Sequence, residues 1–157
     1  MSKKMFVVLA LAALLMLALT ACGGSSPVTA NDLPAYPGAV ELKAGDSKLA
    51  DTLSKNSQQI TALTQSAGVN GKTEQKGFSL PKDATWDAIK KFYDDKLKST
   101  GWAEPGGITG NVLAQVNGMN DSFQTATYNR GNQTLALIRL VDPISKDATL
   151  VFSLNTH

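Results

Sequence analysis

The chain contains one cysteine, one histidine and few aromatic residues, 6% of the total. A single thiol, Cys22, closes no disulfide within the chain. The lone histidine, His157, is the last residue, so no His/Cys set for zinc is available and a catalytic triad has no base. Net charge is scarce too. Lys and Arg number 15 against 13 Asp and Glu, and the two cations in excess are Lys3 and Lys4. From Cys22 onward the chain is neutral, without the basic cluster of a nucleic-acid binder or a polybasic patch for anionic lipid. No nucleic-acid partner is expected.

What the sequence does have begins at its first residues. Lys3 and Lys4 precede an apolar run, Met5–Leu19, which ends in the small residues Thr20 and Ala21 before Cys22. This is the three-part pattern of a secretory signal peptide. As a helix the apolar run would span about 23 Å, short of the ~30 Å hydrocarbon core. Counting in Thr20 and Ala21 leaves a membrane-spanning helix as the alternative.

Leu19-Thr20-Ala21-Cys22 resembles the lipobox of bacterial lipoproteins. The resemblance implies a diacylglyceryl group on the Cys22 thiol, cleavage before Cys22 and acylation of the new amine, with chains such as palmitate. One acyl chain holds a protein weakly at a membrane, and two or three hold it firmly. A plain secreted protein whose thiol merely follows the cleavage site is the competing reading. The expected organisation is a lipoprotein signal peptide over 1–21, a flexible tether over 22–32 and a single globular domain over 33–157. The expected location is the extracytoplasmic face of a bacterial membrane, with Cys22 lipid-anchored.

The fold class expected for 33–157 is α+β. Two prolines make the segment from Leu33 to Leu42 extended, with Tyr36 and Val40 packed on the domain edge. Leu49, Leu53, Ile60, Leu63 and Ala67 lie on one helical stripe, predicting one or two N-terminal helical segments over 45–67. Residues 73–80 alternate like a strand. The clearest element is a main amphipathic helix over 85–100. Thr85 is a cap, Trp86, Ile89, Tyr93 and Leu97 form the apolar stripe, and Asp87 and Lys96/Lys98 complement the macrodipole. Gly101 is placed to end it left-handed, bringing Trp102 onto Leu97. Residues 103–111 read as a loop, with Asn111 opening a short helix. Strands over 123–129 and 133–141 flank a Gly131-Asn132 hairpin turn, and a further strand covers 148–155. The sheet is therefore antiparallel, with three to four strands packed against the main helix.

Strand 133–141 is apolar on both sides. Ala136, Ile138 and Leu140 share one face; Leu135, Leu137, Arg139 and Val141 share the other. The Trp86 helix is expected over one face. The face carrying Arg139 would lie under the Leu49–Leu63 helix, or stay uncovered as an interaction surface.

No pattern assigns catalytic residues. A Ser–Lys dyad has no S-x-x-K motif behind it. Asp94 and Asp95 point about 100° apart on a helix, and each has a lysine one turn away, so they read as a solvated face. Residues 117–121 offer oxygen ligands without calcium-loop spacing, and 106–111 lacks the Lys-Ser/Thr of a P-loop. No metal or cofactor is expected. Phe78, Trp86, Phe92, Tyr93 and Trp102 fit core positions better than a sugar or base platform.

Tyr36-Pro37-Gly38-Ala39, then Phe92-Tyr93, Leu97 and Gly101-Trp102, resemble a group of small uncharacterised bacterial lipoproteins with a YPGA opening and an fY…L…GW helix. The resemblance implies a capping and packing pattern and supplies no activity. The leading expectation is a non-enzymatic binding or interaction module of the cell envelope, with an envelope protein or small ligand as partner. The alternatives are an enzyme using Ser, Asp or Lys residues assembled by the fold, and a structural or assembly factor.

Overall fold

The structure, a computed structural model, describes residues 26–43, 45, 46, 48, 51, 52, 55, 58, 59, 62, 71–119 and 121–157. In chain order the elements are β1 (Val40–Glu41), β2 (Lys72–Ser79), α1 (Trp86–Lys98), α2 (Gly107–Met119), β3 (Phe123–Arg130), β4 (Gln133–Val141) and β5 (Ala148–Thr156). The described positions from 48 to 62 have helical backbone. The apolar stripe expected there, from Leu49 to Ala67, lies outside the described residues.

The class is α+β, and the sheet is antiparallel throughout, in the order β1-β2-β5-β4-β3. Among the described residues five strands form where three or four were expected. The extra one is the two-residue β1, which pairs Val40 with Ser79 and Glu41 with Phe78. A Pro-rich segment gives no strand periodicity, so only the pairing partner reveals it. Val40 is 66% exposed rather than packed at the domain edge.

Helix α1 forms as its sequence dictates. The Thr85 side chain accepts from the Ala88 amide, and Asp87 and Lys96/Lys98 sit at complementary ends of the dipole. It ends in a Schellman motif. The Trp102 amide donates to the Leu97 carbonyl at 3.1 Å and the Gly101 amide to Lys98 at 3.2 Å, with Gly101 at φ +87°. The buried stripe Trp86, Ile89, Tyr93 and Leu97 joins Leu135, Leu137, Leu150, Phe152 and Leu154 in one core. Tyr93 and Phe152 meet edge to face at 5.5 Å.

Helix α2 begins four residues before the expected Asn111 start. Its glycines favour a loop on propensity, but the first turn packs closely. A Cβ at Gly110 would lie 2.8 Å from the Pro105 carbonyl oxygen. At the other end the Asn117 side chain donates to Thr125 O at 2.7 Å and accepts from Thr125 N at 2.6 Å. The amide thus pairs with the open edge of β3 as a neighbouring strand would, satisfying groups that an edge strand leaves free.

Candidate functional site

Three polar regions stand out, and the N-terminal segment builds the first. Gln133, only 2% exposed, holds Val28 at both backbone groups. Its Oε1 accepts from Val28 N at 2.9 Å, and its Nε2 donates to Val28 O at 2.8 Å and to Thr156 Oγ1 at 2.9 Å. The Ala30 amide donates to Glu74 Oε2 at 2.8 Å, and Arg130 Nη1 donates to Ser26 O at 3.2 Å. Ala30 and Leu33 are buried. A flexible tether was expected over 22–32; the part of it that the structure describes, from Ser26, is bound to the sheet end. Small polar residues suggested flexibility, but backbone groups supplied with long-range partners are ordered whatever their side chains.

Beside this segment lies a cleft of about 310 Å³, lined among others by Val28, Asp32, Lys96, Thr100, Trp102 and Arg130. The Arg130 guanidinium lies 6.0 Å from the Trp102 ring centroid, a cation–π distance. Its Nε is buried and bonds to nothing.

The second region is an ion network on the middle of α1. Lys90 Nζ bonds Asp94 Oδ2 at 2.9 Å and also Glu104, and Tyr128 donates to Asp94 Oδ1 at 2.7 Å. Burial works to lower the Lys90 pKa, but Glu104 and Asp94 outweigh it and raise the value. Burial works to raise that of Asp94, while Glu104, Lys90 and the Tyr128 hydroxyl hold it below the ordinary carboxylate value. Burial and then Asp94 push the Tyr128 phenol up. Near neutral pH Lys90 is charged, Asp94 ionised and Tyr128 protonated. Each group is locked in the state its neighbours need, the opposite of a group poised to exchange protons. The adjoining cleft, between Pro105, Leu113, Asn117 and Thr127, holds about 110 Å³. The second aspartate of the pair, Asp95, turns outward to Lys91 at 2.9 Å.

The third region centres on Arg139, and here the expected interaction surface fails. Leu135 and Leu137 are 0% exposed under α1, on the face that carries the core. Cross-strand register puts Leu137 beside Phe152 and Ala126, and Val141, half-buried, beside Ala148. Two apolar faces on one strand do not say which one a helix will cover. Arg139 lies at the rim of that face. Its Nη1 donates to Gln124 Oε1 at 2.9 Å and Asp121 O at 3.3 Å, and its Nε is buried without a partner. Burial lowers the Arg139 pKa. An open cleft of about 300 Å³ adjoins it, between Thr85, Trp86, Asp87 and Asp121.

Cys22 lies outside the described residues. Among those described, no three His, Cys, Asp or Glu side chains converge as metal ligands, and no helix is long and apolar enough to cross a membrane. His157 is tied down rather than frayed: its amide donates to Asn132 O at 2.9 Å and its carbonyl accepts from Asn132 Nδ2 at 2.7 Å. Phe78, Trp86, Tyr93 and Trp102 are core residues, with Phe92 packed against them. Sequence reasoning missed Gln133, Glu74, Arg130 and the Lys90–Glu104 and Tyr128–Asp94 contacts. The only local hint was the position of Arg130 and Gln133 on either side of the hairpin turn. No protein-family model, curated protein or solved structure matches this chain.

Proposed function

We propose that the chain is a lipid-anchored extracytoplasmic protein of a bacterial membrane, acting as a non-enzymatic binding or interaction module of the cell envelope. One observation carries this reading. The apolar run Met5–Leu19 closes on Leu19-Thr20-Ala21-Cys22, three residues ahead of the point where the chain docks on its domain. An acylated Cys22 at that place is an anchor set directly against a folded unit. The binding reading draws support from the clefts beside Arg130 and Arg139, each lined by an arginine side chain. The locked protonation states around Asp94 favour binding over acid–base catalysis.

Intact mass of the membrane-extracted protein tests the anchor: the expected species begins at Cys22 and carries diacylglyceryl and acyl groups. Cys22→Ala is expected to leave the domain folded and to release its processed form from the membrane fraction. A mature N-terminus without lipid, or a processed Cys22→Ala chain still on the membrane, refutes it. Crosslinking in the envelope tests the binding role. Recovery of neither partner nor ligand-dependent thermal shift would remove its support.

A further inference from the structure

Where the chain docks decides how the domain must stand on a membrane. Three residues separate Cys22 from Ser26, whose carbonyl is held by Arg130. Fully extended, that stretch reaches about 14 Å. The nine residues of β5 run about 30 Å from one end of the domain to the other. The anchor is thus much shorter than the body it holds. Because 26–33 is bound to one end of the sheet, the two ends are not equivalent.

The strand register identifies the near end. Lys72, Thr156, Gln133 and Arg130 follow one another across β2, β5, β4 and β3. The α1 C-terminus, with Lys96 and Lys98, lies at the same end, since Lys96 and Arg130 line one cleft. The charges there are Lys72, Lys96, Lys98 and Arg130 against Asp32, Glu74 and Asp95. Glu74 pairs with Lys72 at 2.7 Å and Asp95 with Lys91 at 2.9 Å, while Asp32 accepts from Thr29 N at 2.7 Å, which holds its carboxyl below the ordinary value and keeps it ionised. At the far end, around the start of α1 and the β4–β5 turn, Asp83, Asp87, Asp121, Asp142 and Asp147 outnumber Lys82, Arg139 and Lys146. A chain with no net charge after Cys22 is thus polarised along its long axis, positive toward the anchor. At this end the Arg130 guanidinium lies against the buried Trp102 ring, and Lys96 and Asp32 line the cleft beside it. Guanidinium and ammonium groups both suit phosphate oxygens.

Resting on the lipid anchor at Cys22, we infer that this end docks against anionic phospholipid, with Lys72, Lys96, Lys98 and Arg130 as its contacts to the headgroup phosphates. The domain stands end-on, its β4–β5 turn and Arg139 cleft directed away from the bilayer. That leaves the far end to meet soluble or envelope partners.

The two tryptophans report this arrangement, because Trp102 lies at the near end and Trp86 at the far end of α1. The mature lipidated chain is reconstituted in phosphatidylglycerol/phosphatidylethanolamine vesicles containing a small fraction of dansyl-headgroup lipid. Energy transfer is measured in Trp86→Phe and Trp102→Phe chains. Transfer from Trp102 is expected to exceed that from Trp86 several-fold. Lys96→Glu/Arg130→Glu, placed in the Trp86→Phe chain, is expected to cut it at least twofold. Should Trp102→Phe or Arg130→Glu fail to fold, Lys96→Glu/Lys98→Glu on the exposed helix end makes the same comparison within the Trp86→Phe chain. Equal transfer from both tryptophans, or transfer unmoved by charge reversal, overturns the docking while leaving the anchor in place. A wild-type chain that does not float with the vesicles overturns the anchor itself.

Discussion

Replacing Gln133 by alanine tests the docked N-terminal segment most directly. Gln133 is buried, and its side chain makes three hydrogen bonds, two to Val28 and one to Thr156. A protein hydrogen bond contributes about 1 kcal/mol net, and leaving a buried partner unpaired costs more. Val28 is only half-buried, so water can reclaim part of the loss once the segment lifts. The expected destabilisation is about 2–3 kcal/mol, or roughly 10 °C in melting temperature for a domain of this size. Chemical and thermal unfolding would measure it. Limited proteolysis should show cleavage before Leu33 appearing only in the variant. The decisive comparison repeats the substitution in a chain beginning at Asn31, where Val28 is gone. There the penalty should fall to that of the single Thr156 bond, because two changes that remove one interaction are not additive. A penalty of full size in the shortened chain would show that Gln133 acts through β4 alone. The inference of a short, docked anchor segment would then lose its basis.

Asp94→Asn is expected to cost about 1–2 kcal/mol at neutral pH, since Lys90 and Tyr128 both lose a charged acceptor. The folded pKa of Asp94 lies below its unfolded value. Its contribution is therefore complete above the unfolded value near ~4 and disappears as pH falls through the folded one. Unfolding midpoints followed against pH should be flatter in the acid range for the variant, and an unchanged slope would contradict the assignment. Leu137→Ala should destabilise by about 2–5 kcal/mol, as expected for a fully buried leucine beside Phe152. Unchanged stability in denaturant would restore the reading of this face as an interaction surface.

The sequence by itself determined what depends on residues close together along the chain. Thr85, the 3.6-residue stripe, and Gly101 with Trp102 are enough to specify α1, because cap, face and stop are all local. The same holds for the hairpin at Gly131-Asn132 and for Asp142, whose carboxylate accepts from the Ile144 and Ser145 amides at 2.8 Å. The motif around Cys22 is likewise read within a few residues. Tyr36-Pro37-Gly38-Ala39 also closes on itself: Ala39 N donates to Tyr36 O at 2.9 Å, and Gly38 takes the φ of +76° that such a turn requires.

Only the tertiary structure decided what depends on the choice between distant partners. Val28 and Gln133 lie 105 positions apart, and neither residue type announces the other. Helix α2 runs through glycines against local propensity, with Gly110 set close to Pro105 and Asn117 bonded to Thr125. Leu135 and Ala136 are equally fit to face a core, and the helix that covers one of them settles which is inside. The charge polarity follows from the same fact. A neutral composition records how many charges there are, and folding decides which of them share an end.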